Sequence, residues 1–348
     1  MKAILRASPG KIIIVDKQDP IPAAGEVIVR VTHAGICGSD SHRFADSNPK
    51  WNTLILGHEF SGTIAAIAEN VMGYNIGDRV CAAPLLPCHV CGHCARGNFS
   101  LCERYSFIGS RIDGCFAEYV KVPAVNIIPL GHDFPLERGA FIEPLTVCLH
   151  PIMRLGSLLG KTIAVTGLGT IGLLAVQVFR AMGARLIIAV DIIPEKLELA
   201  LRIGATHAVD GSNESLEDIV RSKGGAHIVF ESSGNNAAKL NALRMTRGKG
   251  KIIQVGTSPQ DITYDAALFE RITRKEICII GSWMNYSAPW PGDEWATAVW
   301  MLRSGLIETE CLITHRFRLT DFQEALNTVL GSEGSPIKVM ITGEEDSV

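Results

Sequence analysis

The sequence predicts an α/β fold in two parts, a strand-rich first part and a doubly wound parallel sheet after it. Three observations predict it. Short strand-like runs punctuated by glycine and proline fill residues 1 to about 130. From Lys161 onward strands alternate with helices. Between the first of those strands and its helix stands Gly167-Leu168-Gly169-Thr170-Ile171-Gly172. At 348 residues the chain exceeds one ordinary core, so two domains are expected.

Composition excludes several classes. Hydrophobic residues are 47% and charged residues 20%, which is globular rather than disordered. Net charge is -3 and no basic run tracks phosphates, so nucleic acid is not an expected partner. Met1 to Arg6 lacks the apolar stretch and cleavage site of a secretory signal. Thr162 to Phe179 carries no charge, but its glycines make it strand, turn and helix rather than a membrane span. Of ten cysteines, four crowd between Cys88 and Cys102. Without a signal peptide that crowding points to metal rather than disulfides, and to the reducing cytoplasm.

In chain order, Glu26 to Thr32 alternates, with Val27, Val29 and Val31 on one face. Gly62 to Ile67, Asp78 to Ala82 and Ala117 to Val122 read as further strands, as of a sandwich or partial barrel. Cys37 lies in Gly35-Ile36-Cys37-Gly38-Ser39-Asp40-Ser41-His42, and Gly57-His58-Glu59 follows in a turn between apolar runs. A lone cysteine or histidine is commonly just a core residue. Together, thiolate, imidazole and carboxylate are the ligand types of a catalytic zinc, and three of them leave a fourth position open. Cys88, Cys91, Cys94 and Cys102 follow C-x-x-C-x-x-C-x7-C spacing, which wraps four sulfurs around one tetrahedral ion. That site is closed, hence structural. His89 and His93 read as spacers, and the flanking Arg96, Arg104 and Glu103 are too weakly basic for a nucleic-acid ribbon.

Pro135 to Ile142 reads as a short helix, with Glu143 at a junction before Pro144. Spacing alone does not choose between a functional and a surface Glu143. Thr162 to Thr166 is apolar on both faces, as in a strand covered on both sides. The glycine turn follows, then a helix from Leu173 to Met182, then the strand Leu186 to Val190 ending at Asp191. This is the full context for dinucleotide binding, with Asp191 on the adenosine ribose hydroxyls, which favours NAD over NADP. A helix opens at Pro194 and ends before Gly204, and strands are expected at 227–231, 251–256 and 277–281. Gly234, Gly256 and Thr257 then flank the nicotinamide half. Ser282 to Tyr286 is either a subunit contact or a substrate wall. A last helix, Trp295 to Ser304, and a tail from Asp321 to Ile341 are expected to return to the first domain.

Gly35 to Asp40, Gly57-His58-Glu59, the four-cysteine lobe and Gly167 to Gly172 resemble, in combination, the zinc-dependent medium-chain alcohol/polyol dehydrogenase family. Pro84 to Cys88, Phe107 to Arg111 and Gly281 to Gly292 resemble its galactitol-1-phosphate dehydrogenase branch. The resemblance implies a GroES-like catalytic domain, 1–150 with 300–348, carrying a structural zinc lobe at 84–105. It implies a Rossmann NAD-binding domain at 151–299, with an active-site cleft between the two. It assigns Cys37 and His58 to catalytic zinc, with Glu59 and Glu143 either on the metal or behind its water. Cys88, Cys91, Cys94 and Cys102 go to structural zinc. The cofactor residues implied are Gly167, Gly169, Thr170, Ile171, Gly172, Asp191, Lys196 and Gly256. Asn285 and Arg111 are implied substrate contacts. Cys115 and Cys148 stand where glycine is expected, and His42 is present where the closer branch lacks it.

The expected chemistry is hydride transfer from a secondary alcohol of a sugar alcohol or its phosphate to NAD. Ser39 is placed to take the hydroxyl proton and His42 to pass it on through the cofactor ribose. Sorbitol-type, other polyol and threonine-type dehydrogenases are alternatives. From another class, a non-catalytic NAD-binding sensor or structural relative would be expected to lose Cys37, His58, Glu59 and Glu143. A homodimer or homotetramer, no membrane and a cytoplasmic location complete the expectation.

Overall fold

The computed structural model describes residues 1–213, 215–331 and 335–343. It divides into two compact units, one of Met1–Thr146, Tyr286–Arg303 and Leu312–Val348, the other of Val147–Asn285 and Ser304–Cys311. Parts of the tail assigned to the first domain, 332–334 and 344–348, lie outside the described residues.

The first unit is built on a seven-stranded, largely antiparallel sheet. Its backbone order is Ile313–Arg318, Lys338–Thr342, Glu26–Gly35, Glu59–Ile67, Arg79–Ala82 and Ile127–Pro129, with Tyr119–Pro123 also paired to Glu26–Gly35. The register of the central pair places Gly35 opposite Glu59. The strand end near Cys37 and the strand start near His58 are therefore neighbours. The C-terminal strand Lys338–Thr342 joins the same place, with Met340 opposite Gly35. Phe44, Phe116 and Phe322 pack at ring distances of 4.8 to 6.2 Å under this end of the sheet. Such aromatic pairs add about 0.5–1.5 kcal/mol each beyond area burial. They anchor the helix Gly38–Ala45, which carries Ser39, Asp40 and Arg43, through Phe44.

Tyr286–Arg303 belongs with this unit, whereas the sequence reading placed 286–299 in the cofactor half. The reason is aromatic. Tyr286 is buried, stacks on Trp290 at 5.3 Å and Trp295 at 5.8 Å, and accepts the Leu85 N–H at 3.1 Å. Trp290 meets Phe99 and His89 edge-on, so the segment is fastened to the cysteine lobe. The helix read as Trp295 to Ser304 runs Asp293–Arg303.

The second unit is a six-stranded parallel sheet. Its order is His207–Asp210, Leu186–Asp191, Thr162–Thr166, Ala226–Glu231, Thr246–Gln254 and Cys278–Gly281, a Rossmann arrangement with helices between the strands. Thr162–Thr166 is buried along its whole length, as its two apolar faces require. The edge strand His207–Asp210 was not expected, because only Ala208 and Val209 in it are apolar. Ser304–Cys311 joins this unit through Gln177, whose amide donates to Glu308 O at 3.0 Å and accepts Glu308 N–H at 2.7 Å.

Pro144 does not end a helix. It sits in the first turn of Ile142–Ile152 beside Glu143, where a missing N–H costs nothing. No helix among the described residues is long and apolar enough to cross a membrane.

Candidate functional site

Gly57 shapes the turn that delivers His58. Its φ is +95°, and an added Cβ would lie 2.8 Å from both Cys115 Sγ and the Phe116 ring. Cys115, buried where glycine was expected, thus fills the space beside the turn, and its N–H donates to Gly57 O at 3.0 Å. The result is that one ligand atom each from Cys37, His58 and Glu59 lies within 4.8 Å of the others. Cys37 is half-buried, while His58 and Glu59 are buried. The set of soft sulfur, imidazole nitrogen and carboxylate oxygen fits zinc, and three donors leave one position open.

Asp40 stands behind this trio and was not singled out from the sequence. It is fully buried, and its Oδ2 accepts the Cys37 N–H at 3.3 Å. Its Oδ1 lies 3.4 Å from His58 Nδ1, a charge contact without hydrogen-bond geometry. A carboxylate on one imidazole nitrogen turns the other towards a metal. Burial opposes the charge on His58, but Asp40 and Cys37 outweigh it and hold its pKa well above the ordinary value. The same anionic surroundings attract a metal cation. Burial likewise opposes ionisation of Asp40, yet His58 and Arg43 keep its pKa below the ordinary carboxylate value.

Lys338 was also missed. It is buried, forms an ion pair with Glu59 Oε2, and donates to Ile36 O at 3.4 Å. Its pKa is raised: burial disfavours the ammonium, but Glu59 and Cys37 prevail. Glu143 is buried but outside the 4.8 Å trio; its charge acts on Lys338, Cys81 and Tyr286. Ser39 donates to Cys37 Sγ at 3.4 Å and receives a hydrogen bond from Arg43 Nη1 at 2.9 Å. His42 is exposed on the same helix. Arg111 lies over the Tyr105 ring at 3.7 Å and donates to Tyr105 O at 2.6 Å, with no polar or ring contact to the trio. Asn285 is buried in the second unit.

The four lobe cysteines also lie within 4.8 Å of one another, with Cys91 and Cys102 sulfurs 4.0 Å apart. Four sulfurs around one zinc sit about 3.8 Å apart at ordinary Zn–S lengths. Backbone N–H groups already point at them: Cys88 N donates to Cys102 Sγ at 3.2 Å, and Cys91 N to Cys88 Sγ at 3.4 Å. The N–H groups of Val90 and Cys91 help lower the Cys88 pKa to about 6.

In the second unit the glycines separate by role. A Cβ on Gly167 would meet Ser233 at 2.6 Å, and one on Gly172 would meet Gly167 O at 1.9 Å. A Cβ on Gly169 would meet nothing within 4 Å, so the open face of the turn lies there. Gly169 caps the helix Thr170–Ala181 without a side-chain cap, an arrangement suited to a phosphate. Asp191 accepts the Leu168 N–H at 2.6 Å on Oδ2 and those of Ile192 and Ile193 at 2.8 and 3.0 Å on Oδ1. It borders a cavity of about 490 Å³ shared with Gly167, Lys196, Gly211 and Ser233. Gly256 packs against Gly234, where its Cβ would lie 2.2 Å from the Gly234 nitrogen.

A β-rich unit holding an open thiolate–imidazole–carboxylate trio, joined in one chain to a dinucleotide fold, defines a metal-dependent dehydrogenase. Residues 23–132 match the alcohol dehydrogenase GroES-like domain, and residues 170–301 match the zinc-binding dehydrogenase family. Galactitol 1-phosphate 5-dehydrogenase of Escherichia coli K12 is 38% identical over 98% of this chain and 99% of its own. The crystal structure of galactitol-1-phosphate dehydrogenase from Escherichia coli superposes with a TM-score of 0.91 at 37% identity, covering 98% of this chain and 100% of that one. An alcohol dehydrogenase from Escherichia coli CFT073, solved with NADH, has a TM-score of 0.90 at 31% identity over 98% of this chain and 99% of its own. The chain belongs to the zinc-binding medium-chain alcohol dehydrogenase family.

Proposed function

We propose that the chain is a zinc- and NAD-dependent dehydrogenase of a sugar alcohol or its phosphate, working in the cytoplasm as a homodimer or homotetramer. The observation that carries this is the Cys37–His58–Glu59 trio with one position open, backed by Asp40 and flanked by Ser39. Cys37, His58 and Glu59 would hold the catalytic zinc, with Glu143 as the reserve carboxylate, and the four lobe cysteines would hold a structural zinc. Zinc at the trio supplies Lewis acidity that makes an alcohol hydroxyl acidic, and NAD supplies the hydride acceptor. Ser39 Oγ would take the hydroxyl proton as it releases its own through the cofactor ribose to His42, exposed on the next helical turn, and on to solvent. Asp40 would keep the His58 ring oriented, and Lys338 neutralises the buried Glu59 carboxylate by pairing with its Oε2.

The turn from Gly167 to Gly172 would receive the pyrophosphate, Asp191 and Lys196 the adenosine ribose, and Gly256 the nicotinamide side. The negative charge of Asp191 repels a 2′-phosphate, which favours NAD. Relatives solved with NADH and with NADP support a nicotinamide cofactor, and those named for galactitol 1-phosphate support the substrate class. A non-catalytic relative has no need of the intact trio, which weighs against that alternative. The test is NAD reduction by zinc-loaded protein across sugar alcohols and their phosphates. Turnover of at least one is expected, and none at all would end this reading.

A further inference from the structure

We infer that Arg43 is the specificity residue for an anionic substrate group, a phosphate monoester on the sugar alcohol. The inference rests on the proposed catalytic role of the Cys37–His58–Glu59 trio. A phosphate near that centre needs a cation with hydrogen-bonding capacity left over. Of three other cations, two are committed and the third has no polar contact with the trio. Lys338 is buried on Glu59 and Ile36 O. Arg6 is buried and donates to Asp46 O and Asn48 O. Arg111 also hydrogen-bonds through Nη1 alone, but it lies over the Tyr105 ring and makes no hydrogen bond to Ser39, Asp40 or the trio among the described residues.

Arg43 differs. Both of its hydrogen bonds, to Ser39 Oγ and Asp40 Oδ1 at 2.9 Å each, come from Nη1. Nε and Nη2 make no hydrogen bond to the described residues, and that edge of the guanidinium is the one that grips an oxyanion with two parallel N–H bonds. The side chain is 22% exposed, so the edge is reachable, and it lies two hydrogen bonds from the Cys37 sulfur. Trp51, its ring 5.7 Å from the guanidinium carbon, limits where the fork points, and Lys50 Nζ, 4.1 Å from the same ring, adds a second cation. The opposing carboxylates are engaged: Asp40 by Cys37 and His58 as well as Arg43, Asp46 by Trp51 Nε1 and the Asn48 N–H.

The experiment measures kcat/KM of zinc-loaded wild type, Arg43→Gln and Arg43→Lys on one polyol and its phosphate ester, with calorimetric binding of the ester to the same proteins. Because Arg43 also touches Ser39, the readout is the ester-to-polyol ratio, which a general loss of activity leaves unchanged. Wild type is expected to prefer the ester. Arg43→Gln should lower the ratio about 10- to 100-fold through KM and weaken ester binding in parallel, with Arg43→Lys between the two. A wild type that oxidises polyols without preferring the ester, or a ratio unmoved in Arg43→Gln, overturns the inference and leaves the proposed function standing. Absence of turnover with either substrate class strikes the proposed function itself.

Discussion

Ser39 sits where two hydrogen bonds define it: it donates to the Cys37 sulfur and accepts from Arg43. Replacing it with alanine removes the hydroxyl without removing a metal donor. Ser39→Ala should therefore lower kcat by roughly 10²- to 10⁴-fold, the usual worth of a positioned proton-transfer group. Zinc content by elemental analysis should stay at the wild-type level, and an unchanged kcat would eliminate the relay. Lys338 supports a stability expectation. Lys338→Met leaves the Glu59 carboxylate buried without its ammonium, which should cost roughly 3–5 kcal/mol. Denaturant unfolding of the zinc-free protein checks this, and Lys338→Arg, which keeps the charge, should recover part of the loss. That the side chains at 37, 58 and 59 would gather was legible from the sequence, because zinc chemistry restricts which residue types are candidates. Asp40 and Lys338 were not. An aspartate in a helix turn and a lysine before an apolar strand both resemble solvated charges until the fold buries them.

At the scale of elements, the strand–turn–helix from Thr162 to Ala181 was readable because each glycine answers a local steric demand. Asp191 ends the adjoining strand as expected and borders the cavity. Asp191→Ala should shift the NAD-to-NADP preference roughly tenfold towards NADP, about the size of one charged hydrogen bond. Steady-state kinetics with both cofactors measures it, and an unaltered ratio would remove Asp191 from the ribose site. Glu231, buried at the end of the strand Ala226–Glu231, carries a pH expectation. Its Oε1 accepts from Ser233 N and Oγ and from Gly234 N, while Oε2 has no hydrogen-bond partner among the described residues. Burial raises its pKa above the ordinary carboxyl value despite those donors. The folded state thus binds this proton more tightly than the unfolded state does. Its contribution favours folding at low pH and diminishes as pH rises from the unfolded pKa through the raised folded one. Glu231→Gln should flatten that part of the stability-versus-pH curve in denaturant titrations; a parallel curve would show that the group does not titrate there. The same scale holds the errors of reading. Pro144 opens a helix rather than closing one, and the edge strand His207–Asp210 is too short and polar to show a period.

For the whole molecule, the two donor sets differ in kind, one closed with four sulfurs and one open with three ligand types. Purified protein should contain about two zinc ions per chain. Cys94→Ser should lower the count to about one and reduce thermal stability, because metal binding and lobe folding are coupled. Elemental analysis with thermal melting tests this, and two ions retained in Cys94→Ser would mean that the lobe is not the second site. The lobe is also fastened by Tyr286 and Trp290, which reach it from almost two hundred residues away in sequence. That is why residues 286–299 read as part of the cofactor half: their neighbours in sequence lie there, their partners in space do not.

By itself the sequence determined the alternation of strands and helices, the cysteine spacing, the glycine turn and the residue types of the trio. The turn and the cysteine spacing are set by local sterics and the short reach between neighbouring sulfurs, and the residue types of the trio by the ligands that zinc accepts. Only the tertiary structure decided which charges are buried and with whom. Lys338 meets Glu59 across 279 positions, a contact made by strand pairing and not by spacing. It also decided that Arg111 rests on Tyr105 while Arg43 keeps one edge open beside Ser39. A side chain's free hydrogen-bonding capacity depends on neighbours that only the folded chain supplies.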